Sequence, residues 1–209
     1  MGRSTNPRAP TRDAIVQAAL RTLKDVGFPG ATARAIARAG GFNQALIFYH
    51  FGTVRALLLE ALDRTSAGRL EAYRDAVREA GSLEELVRIA GVLARDDARE
   101  GHLTVAAEMI AGGVTDAELQ PEIAKRIGLW VDFAEGIVRS ILRDSPLAQV
   151  MPARAVAFAI VAYYCGVNLI SRLDPEAAPI DDSLAAALPL AAMLSPLVSG
   201  ELGAPSPEI

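Results

Sequence analysis

Residues 32–53 read TARAIARAGGFNQALIFYHFGT, and this stretch decides the fold. Thr32 is a residue type that accepts a hydrogen bond from the first turn of a helix, so it opens a short helix running to Ala39. Gly40 and Gly41 break that helix, and another begins at Asn43 and ends near Phe51. Ile36 and Ala37 in the first helix, Gly41 in the turn and Ile47 in the second have the spacing of two short helices packed at a steep angle. The crossing needs a small residue, the turn a conformationally permissive one, and the second helix an apolar anchor. At about 100° per residue, Ile47 and Phe51 point inward, while Ala45 and Tyr49 point the opposite way with Leu46 beside them.

The outward face is therefore small, apolar and aromatic, a combination that fits a major groove. Ala45 lets a helix come close, Leu46 can touch a thymine methyl, and Gln44 can hydrogen-bond a base edge or a phosphate. Charge supports the same idea. The 209 residues carry 21 basic and 25 acidic side chains, a net charge of -4, which by itself argues against bulk attraction to nucleic acid. Counted in two pieces, residues 1–55 hold eight basic and two acidic residues, +6, and residues 56–209 hold 13 and 23, -10. The total hides a bipolar chain whose basic end has the phosphate attraction that helix-turn-helix binding requires.

Outward from this core the whole chain reads as all-α. Alanine, leucine and arginine dominate, apolar residues recur at three and four, and no β-branched run alternates with polar residues. A first helix runs from an N-cap at Thr11 to Val26, with Ile15, Ala18, Ala19, Leu23 and Val26 on one face, and Gly27 stops it. A long helix follows Gly52 and Thr53, from Val54 to Ala80. Beyond Gly81-Ser82 come helices to Glu100, from Leu103 to Ala111, and from Glu118 to Leu142. Two very apolar helices close the chain; Pro152 opens the first as an N1 residue, and Pro189 is expected to kink the second, Asp182 to Val198. Residues 144–151 and 174–180 read as surface loops and residues 200–209 as a frayed tail.

Several chemistries are excluded by composition. A single cysteine, Cys165, excludes an intrachain disulfide and a multi-cysteine zinc site, and two histidines outside any HExxH pattern exclude that metalloenzyme class. His102 and Glu108 lie on different helix faces and make no catalytic or metal pair. Cys165, in an apolar run, reads as an inert core residue. No secretory signal or myristoylation site stands at the N-terminus, and the 17 uncharged residues between Arg154 and Arg172 are better read as a helix buried in protein than as a membrane span. The expectation is a cytoplasmic protein with no membrane association, no metal and no cofactor.

Residues 11–60 resemble the N-terminal DNA-binding domain of the tetracycline-repressor (TetR) family of bacterial transcription regulators. The matching features are the IVQAAL first helix, the Gly-Phe turn, ATARAIARAGGF, and IFYHF followed by a Gly-Thr cap. The resemblance implies a three-helix DNA-binding domain over residues 1–55 and a helical effector-binding and dimerisation domain over 56–209. Carried over residue by residue, it implies backbone contacts from Thr32, Tyr49 and His50 and base reading from Gln44, Ala45, Leu46 and Tyr49. Arg34, Asn43, Phe48 and Arg55 complete the candidate DNA-facing set. Two positions depart from the family. Phe48 stands where a tyrosine is usual, and Val54 where many members have a lysine; Arg55 can supply that charge from a direction about 100° away. An arm of Arg3, Arg8 and Arg12 is a further candidate for following the DNA backbone.

In the C-terminal part Met109, Trp130, Phe133 and Phe158 are large apolar residues that can line an effector cavity or simply pack a core. The helices around 156–170 and 184–198 are apolar nearly all round, so a spare face needs a partner. This implies a two-fold homodimer joined by a four-helix bundle, with two reading heads on a near-palindromic duplex operator. The expected protein is a ligand-responsive, DNA-binding regulator, a repressor released by a small apolar or amphipathic effector. Two alternatives stay open: a helical small-molecule-binding protein or enzyme with a purely structural N-terminal module, and a regulator that answers to a protein partner. Against an enzyme, the chain offers no nucleophile with a neighbouring base and no phosphate-cradling Gly-rich loop.

Overall fold

The computed structural model describes residues 11–143, 145–174 and 180–198. Among these the chain is helical throughout: α1 Arg12–Gly30, α2 Ala33–Gly40, α3 Ala45–Phe51, α4 Val54–Glu79, α5 Leu83–Glu100, α6 His102–Thr115, α7 Gln120–Leu142, α8 Ala153–Leu173 and α9 Ile180–Leu194. The helix ends follow from local chemistry. The hydroxyls of Thr11, Thr32, Thr53 and Ser82 accept the N–H groups of Ala14, Ala35, Ala56 and Glu85, each satisfying a first-turn donor that the helix itself leaves unpaired. Gly41 closes α2 at φ 68°, and the Phe42 N–H reaches back to the Ala37 carbonyl. Such a left-handed residue favours glycine because it has no Cβ.

The expected stop at Gly27 is present inside α1. Gly27 has φ 71° and ψ 178°, and a short turn of helix continues beyond it to Gly30. This break is clamped from α6: Glu108 Oε2 accepts the Phe28 N–H at 2.9 Å. Below it, Phe28 packs directly on the buried Gly112. Val26, expected on the inner face, is instead exposed, because the break at Gly27 turns the chain away from the core one residue later. Pro152 precedes α8 as its N-cap, one position before the expected N1. Residues 144–151 contain a one-turn 3-10 helix, Pro146–Gln149. The candidate arm residues Arg3 and Arg8, most of the 174–180 loop and the 200–209 tail lie outside the described residues.

One apolar core runs from the N-terminal module into the body. Ile15, Leu23, Ile36 and Ile47 of α1–α3 join Leu57, Leu58 and Leu62 of α4, Val105 and Met109 of α6, Leu119 before α7, and Ile123 within it. A smaller cluster of Val131, Ala134 and Ala157 joins α7 to α8. Charged pairs brace the same joints from outside. Arg126 of α7 grips Asp63 of α4 through two bonds of 2.6 and 2.7 Å, and Arg64 of α4 pairs with Asp13 of α1. α8 lies mainly against α7 and α9 mainly against α5, so the two apolar helices touch each other only lightly.

Candidate nucleic-acid interface and cavity

The short helix α3 is built to show one face. Ile47 is fully buried and anchors it, whereas Tyr49 is 81% exposed and Phe48 49%. Gln44 and Ala45 are exposed beside them, and Leu46 is half-buried against the core. His50 is half-buried with its ring edge-on to Tyr49 at 5.0 Å, and the Phe51 ring lies beyond it at 6.3 Å. Asn43 is exposed, and its Oδ1 accepts the Ala45 N–H at 2.9 Å, so it caps the start of the helix. Thr32 performs the same task for α2. Arg34 and Arg38, one helical turn apart on α2, are both exposed, so this helix also presents cationic charge to solvent.

Two basic residues of the module point elsewhere. Arg55 is held by Asp116 at 2.7 Å and Glu118 at 2.6 Å, so its charge ties the start of α4 to the turn before α7 and is not offered outward. Hydrogen bonding to Arg55 holds the Asp116 carboxyl below the usual carboxylate range, helped by the backbone N–H groups of Glu118 and Leu119. Arg12 pairs with Glu60 and lies over the Phe51 ring, 4.9 Å from its centroid. Glu60, Asp116 and Glu118 of the acidic body are thus paired with Arg12 and Arg55, while Arg34 and Arg38 of α2 stay exposed. The sequence could not give this, because 61 residues separate Arg55 from Asp116.

The second feature is a cavity of about 290 Å³ inside the body, walled by α4, α5, α6, α7 and α8. Trp130 and Phe133 line it, with Tyr73 edge-on to Trp130 at 5.9 Å. Met109 and Phe158 do not. Met109 is fully buried in the core that joins module and body, and Phe158 is 61% exposed on the outer face of α8. Both are turned from the cavity by their position on the helix, since the inner faces of α6 and α8 present Leu103, Ala106 and Ile110, and Ile160, Val161 and Tyr164. Cys165 also stands on the wall and not in a closed core, and burial pushes its thiol up.

The wall is mostly apolar, with Thr65, Ser66, His102 and Arg126 on it and one buried polar cluster. Asp97 of α5, only 1% exposed, pairs with Arg69 of α4, and the phenols of Tyr73 and Tyr164 both donate toward its Oδ2. The two phenol oxygens are 3.2 Å apart. Burial raises the Asp97 carboxyl above its ordinary value, and Tyr164, Arg69 and Tyr73 oppose that shift. Burial likewise pushes both phenols above the ordinary tyrosine range. Sequence inspection missed this cluster because its members come from three helices; the one available signal was an aspartate on the inner side of α5. His102 lines the cavity and pairs with Glu100, while Glu108 faces Phe28, so these two do different jobs. Among the described residues no group of side chains has the arrangement of a metal site, and no single helix is long and apolar enough to cross a membrane.

A profile of the tetR family of bacterial regulatory proteins matches residues 15–61, from the core of α1 through the first turns of α4. This segment carries the signature of the TetR-family DNA-binding domain. Over the same kind of span it is 43% identical to the tetracycline repressor protein class C of Escherichia coli, across 47 residues that make 22% of each chain. Over 158 residues, 74% of this chain and 73% of the other, it is 23% identical to the transcriptional regulator RutR of Escherichia coli strain K12. The crystal structure of the transcriptional regulator FadR from Bacillus subtilis, in complex with stearoyl-CoA, superposes with a TM-score of 0.71 at 15% identity, covering 91% of this chain and 99% of that one. The match to the family profile thus lies in the α1–α4 segment, and the likeness of fold extends over nearly all of the chain.

Proposed function

We propose that this TetR-family protein is a homodimeric, ligand-responsive repressor that binds a near-palindromic operator and leaves it when a small apolar or amphipathic effector enters the body. The observation that carries the proposal is the continuity of α3 and α4. The exposed face of α3 is held by Ile47, and only Gly52 and Thr53 separate that helix from α4, whose inner side supplies Leu62, Thr65, Ser66, Arg69 and Tyr73 to the cavity. Residues 1–55 act as the reading head and 56–209 as the effector-binding and dimerisation body. Gln44, Ala45, Leu46, Phe48 and Tyr49 meet base edges, while Thr32, Arg34, Asn43 and His50 approach phosphates. Arg55 leaves that set, since its guanidinium is held by the body.

The apolar outer faces of α8 and α9 support the dimer. Phe158, Tyr163, Leu173 and Met193 are all more than half exposed, a concentration that a soluble monomer rarely leaves in water. Two heads held by such an interface require half-sites about one helical turn or somewhat more apart. An effector in the cavity presses on α4 and α6, and α6 also holds the Gly27–Phe28 break of α1. The ligand shifts the head spacing only by as much as its affinity differs between the two spacings. Such a protein works in the cytoplasm and takes no cofactor.

A gel-shift titration with the DNA flanking its own gene tests this directly. Retardation of one fragment against excess unrelated DNA is the expected result, and the absence of any specific complex removes the repressor proposal.

A further inference from the structure

The outward side chains of α3 fall within one arc. Gln44, directly before the helix, already has helical backbone angles. At about 100° per residue, Gln44, Phe48, Ala45 and Tyr49 lie within about 140° of one another, and all four are exposed while Ile47 anchors the other side. Phe48 stands inside this arc, 49% exposed and apart from the core cluster that takes in Ile47 and Leu46. A phenyl ring has no hydroxyl, so it donates neither to a phosphate oxygen nor to a base edge. Half in water, it gains free energy only by covering another apolar group. The major groove offers one such group on each A·T pair, the thymine 5-methyl, and none of that kind on a G·C pair.

The residues around Phe48 suit the same base pairs. Ala45 is small enough to let the helix lie close. The Gln44 amide carries a donor and an acceptor side by side, which match N7 and the N6 amino group of adenine. Between Gln44 and Phe51 there is no arginine or lysine, the side chains that most often span the two acceptors of guanine. Arg55, just beyond, is held by Asp116 and Glu118. Asn43, just before, gives its Oδ1 to the Ala45 N–H and so lacks the paired groups that Gln44 keeps.

We propose, resting on the repressor reading above, that Phe48 is a base-reading residue that packs on a thymine 5-methyl group. Each operator half-site then carries an A·T pair at the same place, with the thymine methyl turned toward Phe48. The absent hydroxyl gives up a phosphate contact and leaves an apolar one that depends on sequence.

The full-length protein is used to select duplexes from a random library, and the selected duplex is titrated by fluorescence anisotropy. Each thymine of a half-site is then replaced in turn by deoxyuridine, with the matching change in the other half-site. Deoxyuridine keeps every hydrogen-bonding group and loses only the methyl. One methyl withdrawn from an apolar contact weakens binding about fourfold, so the paired change is expected to cost about tenfold or more at one position. Phe48→Ala is expected to shrink that thymine-to-deoxyuridine ratio to about twofold or less, with far-ultraviolet circular dichroism confirming the helical fold. Phe48→Gln, which keeps the reach and removes the apolar face, gives a second reading of the same ratio.

If no thymine replacement costs more than about twofold, or if the ratio survives both substitutions unchanged, the assignment to Phe48 is overturned and the repressor reading stands. A selection that yields no specific duplex overturns the repressor reading itself.

Discussion

Gly112→Ala sets local helix preference against packing, and the structure fixes which wins. In an isolated helix the change stabilises by roughly 1 kcal/mol, because alanine orders less unfavourably than glycine. At position 112 a Cβ would stand 2.6 Å from Phe28 Cγ and Cδ1 and 2.7 Å from Cδ2. The ring cannot swing aside cheaply: Cγ is one bond from the Phe28 Cβ, and the Phe28 N–H is fixed on Glu108 at 2.9 Å. Overpacking of this kind costs about 1–3 kcal/mol, and the close approach to both edges of the ring puts it in the upper part of that range.

The net expectation is a loss of about 1–2 kcal/mol, or a fall of roughly 2–8 °C in melting temperature for a chain of this size. Gly68→Ala in α4 is the matched control, since nothing lies within 4 Å of its Cβ position; it should stabilise by about 0.5–1 kcal/mol. Urea and thermal melts followed by far-ultraviolet circular dichroism and Trp130 emission, at one fixed protein concentration, measure both. Equal stabilisation by the two substitutions would refute the claim that α6 and the α1 break are in hard contact.

Three further outcomes follow from other parts of the molecule. Tyr49→Ala, at an 81% exposed position, should weaken operator binding by about 1–3 kcal/mol while stability stays within about 0.5 kcal/mol; a collapse in melting temperature would make Tyr49 a core residue. Leu173→Arg, at a position 81% exposed on α8, should shift the protein to monomers in analytical ultracentrifugation without unfolding it, and an unchanged sedimentation coefficient would place the dimer contact elsewhere. Arg55 holds the folded-state carboxyl of Asp116 below its ordinary value, so this contribution to stability is present above the unfolded value and lost as pH falls through the folded one. Wild type should therefore exceed Asp116→Asn in urea resistance near neutral pH, with the difference closing below about pH 4.

What sequence revealed was mostly local. Thr32 as a cap, Gly41 as a turn, and the opposition of Ile47 and Tyr49 all follow from spacing within a few residues, and all stand in the structure. The parts that escaped are joined across the chain. Arg55 looked like a phosphate contact because it stands one residue past Val54, where many members of the family it resembles carry a lysine, yet Asp116 and Glu118 fold onto it. Trp130 and Phe133 face the cavity while Met109 and Phe158 do not, and apolar character alone could not separate them, because all four fit a buried or an exposed helix face equally well. The Asp97 cluster draws on α4, α5 and α8, and only the assembled body brings those helices together.

The charge division has the same character. The +6 of residues 1–55 is not offered whole to a partner, since Arg12 and Arg55 are neutralised by Glu60, Asp116 and Glu118. On α2, which precedes α3 in the chain, Arg34 and Arg38 are both exposed. DNA affinity should then respond more to Arg34 and Arg38 than to Arg55.

In the proposed repressor, two α3 faces on one dimer read duplex DNA under electrostatic control. Fluorescence anisotropy with the retarded fragment, titrated at several salt concentrations, tests it most directly. Saturable binding of one dimer is expected, weakening linearly in log affinity against log salt and lost from a duplex carrying a single half-site. Binding that ignores salt, or equal affinity for one half-site and two, would contradict it.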